Sequence, residues 1–442
     1  MTDLRQMPKK LKKAMSSKAG HSAIITAMIF VAMAAAVIAS ISVSRAVVVK
    51  SEAEVFGDVW AKALLSEYDT HLLGDYGIMA FYGDENEIGK KLNYYISYSA
   101  GSKLSAKMKP SNVDLSGYEL SDPDNFKKAL RKGLLTTGGE ALLKEEARVP
   151  RTSRHEDGDV RSVKNRVVID TLPSHGIKEH VEVKKVADDM KSGRFKDALS
   201  GKVSGTAIEL LFIRQKLGNY MTAPDGKESY FENEWEYIVA GKLSDAENLA
   251  SCRRRIFLIR NALNLAYLTG DAENTELLAG VAAMIATGPA AFAVQAALTE
   301  AWAAIESERD VKDLLDGGRV PIMKNALTWK TDLESVLDAD DLTSKLDDEA
   351  RKSLDEKRAE IDEKIGRGVP AGAAEGNTYE DYITFLMLGM SEKTRLLRAM
   401  DIVQINMKYR YYEDFNFEEY FTGVRFAVSA NGRKYEQEKE YR

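Results

Sequence analysis

The chain has 442 residues, a formal net charge of −6 and 44% hydrophobic residues, enough for two or three domains with apolar cores. The first 20 residues contain six Lys or Arg and one Asp, so the remainder carries a net charge of −11. An acidic body excludes nucleic acid as an expected partner, because phosphate binding needs clustered Lys and Arg.

An uncharged run, Ser22–Ser44, follows the basic tail. As a helix it would span about 34 Å, more than the ~30 Å hydrocarbon core of a bilayer. The positive-inside rule then predicts a cytoplasmic tail over 1–20, a transmembrane helix over 21–45 and an extracytoplasmic bulk. A secretory signal peptide is the alternative, but its apolar region is shorter, at about 7–15 residues. We therefore expect an uncleaved, single-pass membrane protein.

A single stripe of apolar residues continues beyond the uncharged run, at Val49, Ala53, Phe56 and Trp60. Their 4-3-4 spacing places them on one face of a helix. We expect the membrane helix to continue as a stalk to about Leu73, with this stripe packed against the soluble domain. A membrane helix followed by a separate amphipathic helix is the alternative.

The segment 46–137 is predicted to contain the stalk and a small α/β region. A turn is expected at Gly74, a helix ending near Ser99, a strand over Asn112–Leu120 and a helix after Ser121-Asp122-Pro123. The charged segment 138–165 is typical of a solvated linker.

The segment 166–365 is predicted to be a helical domain. It opens with a strand candidate, Arg166–Leu172, and helical spacing covers Glu234–Ala240 and Asp245–Leu268. Leu277–Thr299 is a second uncharged run, but Gly288-Pro289 divides it into halves too short to span a bilayer. We expect two buried helices here. The alternative is a second span, which would return 300–442 to the cytoplasm.

The C-terminal part has clear local signals. Asp332–Ile365 is predicted to form an exposed amphipathic helix pair and 366–377 a loop. In 378–442, a Thr378-x-x-Asp381 capping box begins one helix and Ser391 begins the next. Tyr420–Ser429 alternates in polarity and predicts a closing strand. The expected fold class is α+β and predominantly helical: a long N-terminal transmembrane/stalk helix, then a helical domain with a few strands.

No recognised catalytic or metal-binding pattern is found. The five histidines are scattered, and neither a zinc-ligand set, a nucleophile elbow nor a dinucleotide-binding turn is present. The 68 acidic residues offer no distinctive acid/base pair. We expect no catalytic residue, no cofactor and no metal, and a buried, unreactive thiol at Cys252. A lone cysteine in an extracytoplasmic protein favours a Gram-positive source.

Several segments together resemble TadE/TadG-type pseudopilins, and more specifically an uncharacterised Gram-positive family associated with tight-adherence (Tad/Flp) pilus assembly. The resemblance rests on the basic tail, the apolar helix opened by Gly20-His21-Ser22, and five further motifs. These motifs are EYDTHLLGDYGIMAF (67–81), FENEWEYIVAGKLSDAENL (231–249), IFLIRNALNLAYL (256–268), LTEAWAAIESERDVKDLLDGGRVPIMK (298–324) and TYEDYITFLMLGMSEKTRLLRAMDIVQINM (378–407).

The resemblance implies a processing site at Gly20, after which pilin precursors are cut. Pilins then carry Glu as the fifth mature residue, where this chain has Ile25. The expected function is a non-enzymatic minor pseudopilin or assembly component of a Tad-like pilus or secretion system. Its expected partners are the lipid bilayer, other components of that system and further copies of itself, through a membrane-helix surface of small residues: Ala34, Ala35, Ala36, Ala39, Ser40 and Ser42. The alternatives are a membrane-tethered enzyme acting on cell-envelope polymers and a two-span membrane protein.

Overall fold

The computed structural model describes residues 18–100, 106–136, 148–151, 172–179, 181–194, 205–333, 336–337 and 376–441. The chain is α+β and predominantly helical, with a long apolar helix near its N-terminus, as predicted. Four predicted segments lie mostly outside the described residues: the strand Arg166–Leu172, the linker 138–165, the helix pair over 332–365 and the loop 366–377.

Helices account for most of the described chain. In chain order they are α1 (Lys18–Leu65), α2 (Thr70–Tyr76), α3 (Glu85–Ala100), α4 (Pro123–Thr136), α5 (Val183–Lys191), α6 (Gly205–Lys216), α7 (Glu234–Ala240), α8 (Asp245–Gly270), α9 (Ala272–Ile285), α10 (Pro289–Leu315), α11 (Tyr379–Leu388) and α12 (Glu392–Arg410). The strands are β1 (Phe81–Tyr82), β2 (Met108–Asp114), β3 (Arg148–Pro150), β4 (Thr222–Pro224), β5 (Tyr420–Phe421), β6 (Gly423–Ala430) and β7 (Arg433–Glu440).

Contacts divide the chain into two compact units. Unit 1 comprises Met1–Tyr68, Phe81–Tyr118 and Phe421–Arg442, and unit 2 comprises Asp69–Ala80 and Glu119–Tyr420. These units do not follow the linear divisions expected from the sequence, because the C-terminal strands associate with the N-terminal helix.

In unit 1, α1 runs without interruption from the apolar run into the stalk, but it ends at Leu65 rather than near Leu73. The chain leaves the helix because Tyr68 pairs with Phe81 in an antiparallel bridge. The next helix begins afresh in unit 2, where the Asp69 carboxylate accepts the first free N–H groups of α2. The turn expected at Gly74 lies instead at Gly77, whose φ of +70° suits glycine.

A three-stranded antiparallel sheet, ordered β2-β6-β7, completes unit 1. The predicted closing strand is present as β6, with Val424, Phe426 and Val428 buried. Its partner β7 was not expected, because its sequence is almost entirely polar. The two strands are joined by Asn431-Gly432, both with positive φ, which matches the right-handed twist of a hairpin. The predicted strand Asn112–Leu120 is displaced, since β2 ends at Asp114.

The larger core of unit 2 contains residues of α2, α4–α8, the C-terminal end of α10, α11 and α12. Trp235, 2% exposed, donates its indole N–H to carbonyls at the end of α6. The predicted helix starts at Thr378 and Ser391 are confirmed, the first as a complete capping box. Within the charged segment 138–165, the described residues Arg148–Pro150 pair with β4, so that part of the expected linker is a strand.

The second core of unit 2 lies between α9, α10 and the chain that follows them. It is built on Leu298, Trp302 and Leu337. The expected break is confirmed, because α9 ends at Ile285 and Gly288, with φ of +66°, precedes Pro289 at the start of α10. The expectation that both helices are buried is wrong for their outer faces, since Phe292 is 75% exposed.

Candidate functional site

The first half of α1 is apolar and exposed on every side. Ile25, Phe30 and Ile38 are each more than half exposed, and no residue from Ser22 to Arg45 is buried. A soluble protein rarely leaves such a surface in water. Within the part of the chain that the structure describes, this is the one helix long and apolar enough for a membrane span or a signal sequence.

The polar groups of this run are satisfied inside the helix. The hydroxyls of Thr26, Ser40 and Ser42 donate to the carbonyls four residues earlier, each at 2.8 Å. Hydrocarbon offers no partner for a hydroxyl, so this internal bonding makes the segment compatible with lipid.

The small residues expected to allow close helix packing lie on this exposed surface. Ala35, Ala39 and Ser42 follow one another at helical spacing and share a face, and none of them is covered by the rest of the chain. The other expected positions, Ala34, Ala36 and Ser40, are also exposed. Gly20, the candidate processing position, lies within the first turn of α1, which begins at Lys18.

The second half of α1 is partly enclosed by unit 1. Val49, Ala53 and Trp60 are 5%, 0% and 1% exposed, and half-buried Phe56 stacks on Trp60 with ring centroids 5.8 Å apart. The Trp60 indole donates to the Ser99 hydroxyl of α3 at 2.6 Å. One helix is therefore exposed all round at its start and packed along one face further on.

Strand β7 also packs along this part of α1. Gly57 faces Gln437 so closely that a Cβ there would lie 2.6 Å from the Gln437 side chain. Next to it, Lys439 Nζ lies 2.6 Å from the Asp58 carboxylate. Hydrogen bonds from Lys439 and Lys62 hold the pKa of Asp58 below its usual range. Sequence reasoning missed this contact because β7 has no hydrophobic pattern to mark it.

Unit 2 contains buried carboxylates that the sequence did not reveal. On α7, Glu236 accepts hydrogen bonds from the Tyr379 hydroxyl at 2.7 Å and the Tyr220 N–H at 3.1 Å, while its second oxygen has no partner. On α12, Asp401 accepts from the Tyr237 hydroxyl at 2.9 Å and from the N–H and hydroxyl of Ser174. These contacts join the segments 231–249 and 378–407, whose motifs stand far apart in the sequence.

Burial perturbs both carboxyl groups. Desolvation raises the pKa of Glu236 to about 7 and that of Asp401 to about 6, against the lowering effect of their hydrogen bonds. Cys252 lies beside Glu236, fully buried, and desolvation raises the pKa of its thiol as well. A buried, protonated thiol is a poor nucleophile, in agreement with the structural role expected for Cys252.

A second buried polar cluster connects α8, α10 and the chain after α10. Arg260 donates through Nε to Asp310 at 2.9 Å and through Nη1 to the carbonyls of Pro321 and Ile322. Lys324 Nζ lies 2.6 Å from the other Asp310 oxygen and also pairs with Glu306. Two cations face two carboxylates, so the cluster is neutral overall, and each charge is held by several partners.

The described parts of both units contain no group of three or more His, Cys, Asp or Glu side chains able to hold a metal ion. The carboxylates of Glu236 and Asp401 are each 0% exposed and bonded to neighbouring side chains or main chain. Their geometry ties helices together. The most distinctive surface feature of the described residues is on α1, which passes from a fully exposed apolar segment into a packed stalk.

Comparison with known proteins gives a family without an assigned activity. No curated protein and no solved structure matches the chain significantly. One family model, described as a family of unknown function (DUF5702), matches residues 159–432. The match covers most of unit 2 together with β6, and it leaves out α1. Since it spans more than half of the sequence, the chain belongs to the DUF5702 family.

Proposed function

We propose that this chain is a single-pass membrane protein that displays its soluble units outside the cell and acts in assembly without performing chemistry. Its N-terminal tail is cytoplasmic, and Ser22–Ser44 lies in the bilayer. The supporting observation is the change of exposure along α1, from apolar on all sides before Arg45 to buried on one face from Val49 onward.

This change of exposure supports an anchor over a secretory signal peptide. A signal peptide is removed, so its helix has no reason to be continuous with the core of the mature protein. In α1 the same uninterrupted helix supplies Ala53 and Trp60 to the core of unit 1. The apolar run and the stalk therefore form one mechanical element, and a displacement of the membrane segment along its axis moves unit 1 with it.

The small residues of the membrane segment supply a surface for association. Helices in lipid associate by close packing of small side chains, since lipid removes the hydrophobic driving force. Ala35, Ala39 and Ser42 form such a surface. We infer that it contacts apolar helices of other pilus or secretion components, or of a second copy of this chain.

The specific role, a minor pseudopilin or assembly component of a Tad-like system, rests on the motif resemblance together with this anchor. It is tested by isolating the native protein from membranes. We expect the membrane helix in the mature protein and small single-helix membrane proteins of a pilus system co-purifying with it. Mass measurement of the mature N-terminus decides whether the chain is cut after Gly20. A mature protein that begins beyond Ser44, recovered without membrane partners, would contradict the proposal.

A membrane-tethered enzyme acting on envelope polymers is the second candidate, favoured by the raised pKa values of Glu236 and Asp401. A general acid or base must reach its substrate, whereas both side chains are 0% exposed. Substitution of both residues by their amides separates the candidates. Loss of any detected polymer-cleaving activity, with folding retained, would favour the enzyme, and unchanged function favours assembly.

A further inference from the structure

One end of the unit 1 sheet carries a group of basic residues contributed by two strands. Arg433 and Lys434 begin β7, and Lys107 and Lys109 flank Met108 at the start of β2. The register aligns Met108 with Ala430 and Ala430 with Arg433, so β2 and β7 begin at the same end of the sheet, on either side of β6. All four side chains are exposed. We call Lys107, Lys109, Arg433 and Lys434 the basic collar.

No acid among the described residues is paired with the collar. Lys434 donates to the neutral Asn112 amide oxygen at 3.3 Å, and within the described residues none of the four cations forms an ion pair. Further along β7 the charge reverses, with Glu436, Glu438 and Glu440 following Arg433 and Lys434. The cations are therefore concentrated at the end of the sheet that contains the Asn431-Gly432 turn.

Contacts between β7 and α1 fix the direction in which this end points. Along β7, Gln437 lies over Gly57, Lys439 pairs with Asp58, and Tyr441 lies beside Phe81, which is bridged to Tyr68. Strand and helix thus run in the same direction. Towards lower residue numbers, β7 approaches the membrane segment of α1.

The rise per residue gives the height of the collar. Arg433 lies about 13 Å before Gln437 along the strand. Arg45, the first charged residue after the apolar run, lies about 18 Å before Gly57 along the helix. Arg433 is therefore about 5 Å from the level of Arg45, and Lys434, with Lys109 level with it across β6, is about 8 Å from it. These heights do not exceed the ~8 Å Debye length at physiological salt.

We propose that the basic collar binds the phosphates of anionic lipid headgroups in the membrane that holds α1. The inference rests on the proposed anchor and adds a second point of attachment, formed only in the folded sheet. The nearest acids of α1, Glu52 and Glu54, lie further along the helix, about 10 and 14 Å beyond Arg45, and Glu54 is paired with Lys50 at 3.6 Å. The attachment fixes the tilt of unit 1 on the bilayer surface, which a single helix alone would leave free.

The test uses the full chain in nanodiscs containing phosphatidylglycerol with a photoreactive headgroup. Cross-linked peptides are mapped by mass spectrometry, and the peptide around Arg45 serves as the reference for insertion. The variant replaces Lys107, Lys109, Arg433 and Lys434 with Gln. The matched control replaces four exposed cations of unit 2, Lys184, Lys185, Arg253 and Arg254, with the same change of net charge.

We expect the collar peptides of the wild-type chain and the control to be labelled, and labelling of the variant to fall by about tenfold relative to the Arg45 peptide. High salt should weaken labelling of the wild-type collar. Equal labelling of variant and wild type would contradict the proposal that the collar binds lipid headgroups. Displacement of the lipid by free inorganic phosphate would contradict it as well. Labelling at Arg45 without labelling at the collar would also contradict lipid binding by the collar, but it would remain consistent with the membrane anchor. Absence of label at Arg45 would instead contradict the anchor itself.

Discussion

Lys439 Nζ lies 2.6 Å from the carboxylate of Asp58, although 381 residues separate the two in sequence. The ion pair joins the last strand of the chain to the helix that carries the apolar run. Because Asp58 is more than a third exposed, the pair itself contributes little stability. The pair marks the register, because it shows which residues of β7 lie against the stalk part of α1.

The first prediction concerns the stalk stripe. Ala53→Gln places a larger polar side chain at a fully buried position and should destabilise unit 1 by about 2 kcal/mol or more. Hydrogen exchange of the β6 and β7 amides in the full chain measures this local opening. Val55→Gln, at a position of the same helix that is 59% exposed, is the control and should leave exchange unchanged. Equal behaviour of the two variants would mean that the stripe does not pack against the unit.

The second prediction concerns the buried cluster around Arg260. Arg260→Met leaves Asp310 without its guanidinium partner in a fully buried site, which should cost about 3–5 kcal/mol. Denaturant unfolding of the full chain measures the change. Arg309→Met removes the exposed cation of a pair with half-buried Asp313 on α10 and should cost less than about 1 kcal/mol. If Arg260→Met is as mild as the control, the cluster contributes little to the stability of unit 2.

The third prediction is a pH dependence of stability. Since the pKa of Glu236 is about 7 in the folded chain against 4.5 for the ordinary group, the folded state binds more protons than the unfolded state between these values. Stability should therefore fall as pH rises from about 4.5 to about 7 and then level off. At about 1.4 kcal/mol per pKa unit, the contribution is on the order of 3 kcal/mol.

Glu236→Gln should remove the decrease in stability that is due to Glu236. The stability of the variant relative to wild type should therefore rise with pH. Urea unfolding at pH 5 and pH 8 would measure it. Glu308→Gln, an exposed substitution on α10, is the control and should keep the wild-type profile. The pKa of Asp401 is about 6, against 3.8 for the ordinary group, so its ionisation also lowers stability as pH rises. This second decrease should remain in Glu236→Gln. If the stability of Glu236→Gln depended on pH as that of the wild type does, Glu236 would not be the group responsible.

The fourth prediction concerns association through the membrane helix. Replacing Ala35 and Ala39 with Leu should leave insertion unchanged and weaken co-purification with partner helices, because larger side chains prevent close backbone approach. Ile38→Leu, which conserves volume on the same segment, is the control. Undiminished co-purification in the double variant would exclude this face as the contact surface.

Local signals in the sequence predicted local structure well. The Thr378-x-x-Asp381 capping box, the Ser391 helix start and the break at Gly288-Pro289 each depend on residues within one turn of each other. The continuous α1 and its buried positions Val49, Ala53 and Trp60 follow from hydrophobic spacing alone. Such features need no knowledge of the rest of the fold.

Features that depend on distant residues were missed. The end of α1 is set by the pairing of Tyr68 with Phe81, and helical spacing continues past it in the sequence. The charged strand β7 has no apolar pattern, and its one local signal is the Asn431-Gly432 pair, which is typical of a two-residue hairpin turn. Glu236 and Asp310 resemble surface acids in a chain with 68 of them, since their partners come from other helices.

The most direct test of the anchored arrangement is protease treatment of intact cells, with mass spectrometry of the released peptides. The account predicts that peptides are released from beyond Arg45, including those from Tyr379 onward, and that residues 1–20 are protected until the cells are opened. Protection of everything after Thr299 would show a second span. Recovery of the native chain as a soluble cytosolic protein would contradict the anchor altogether.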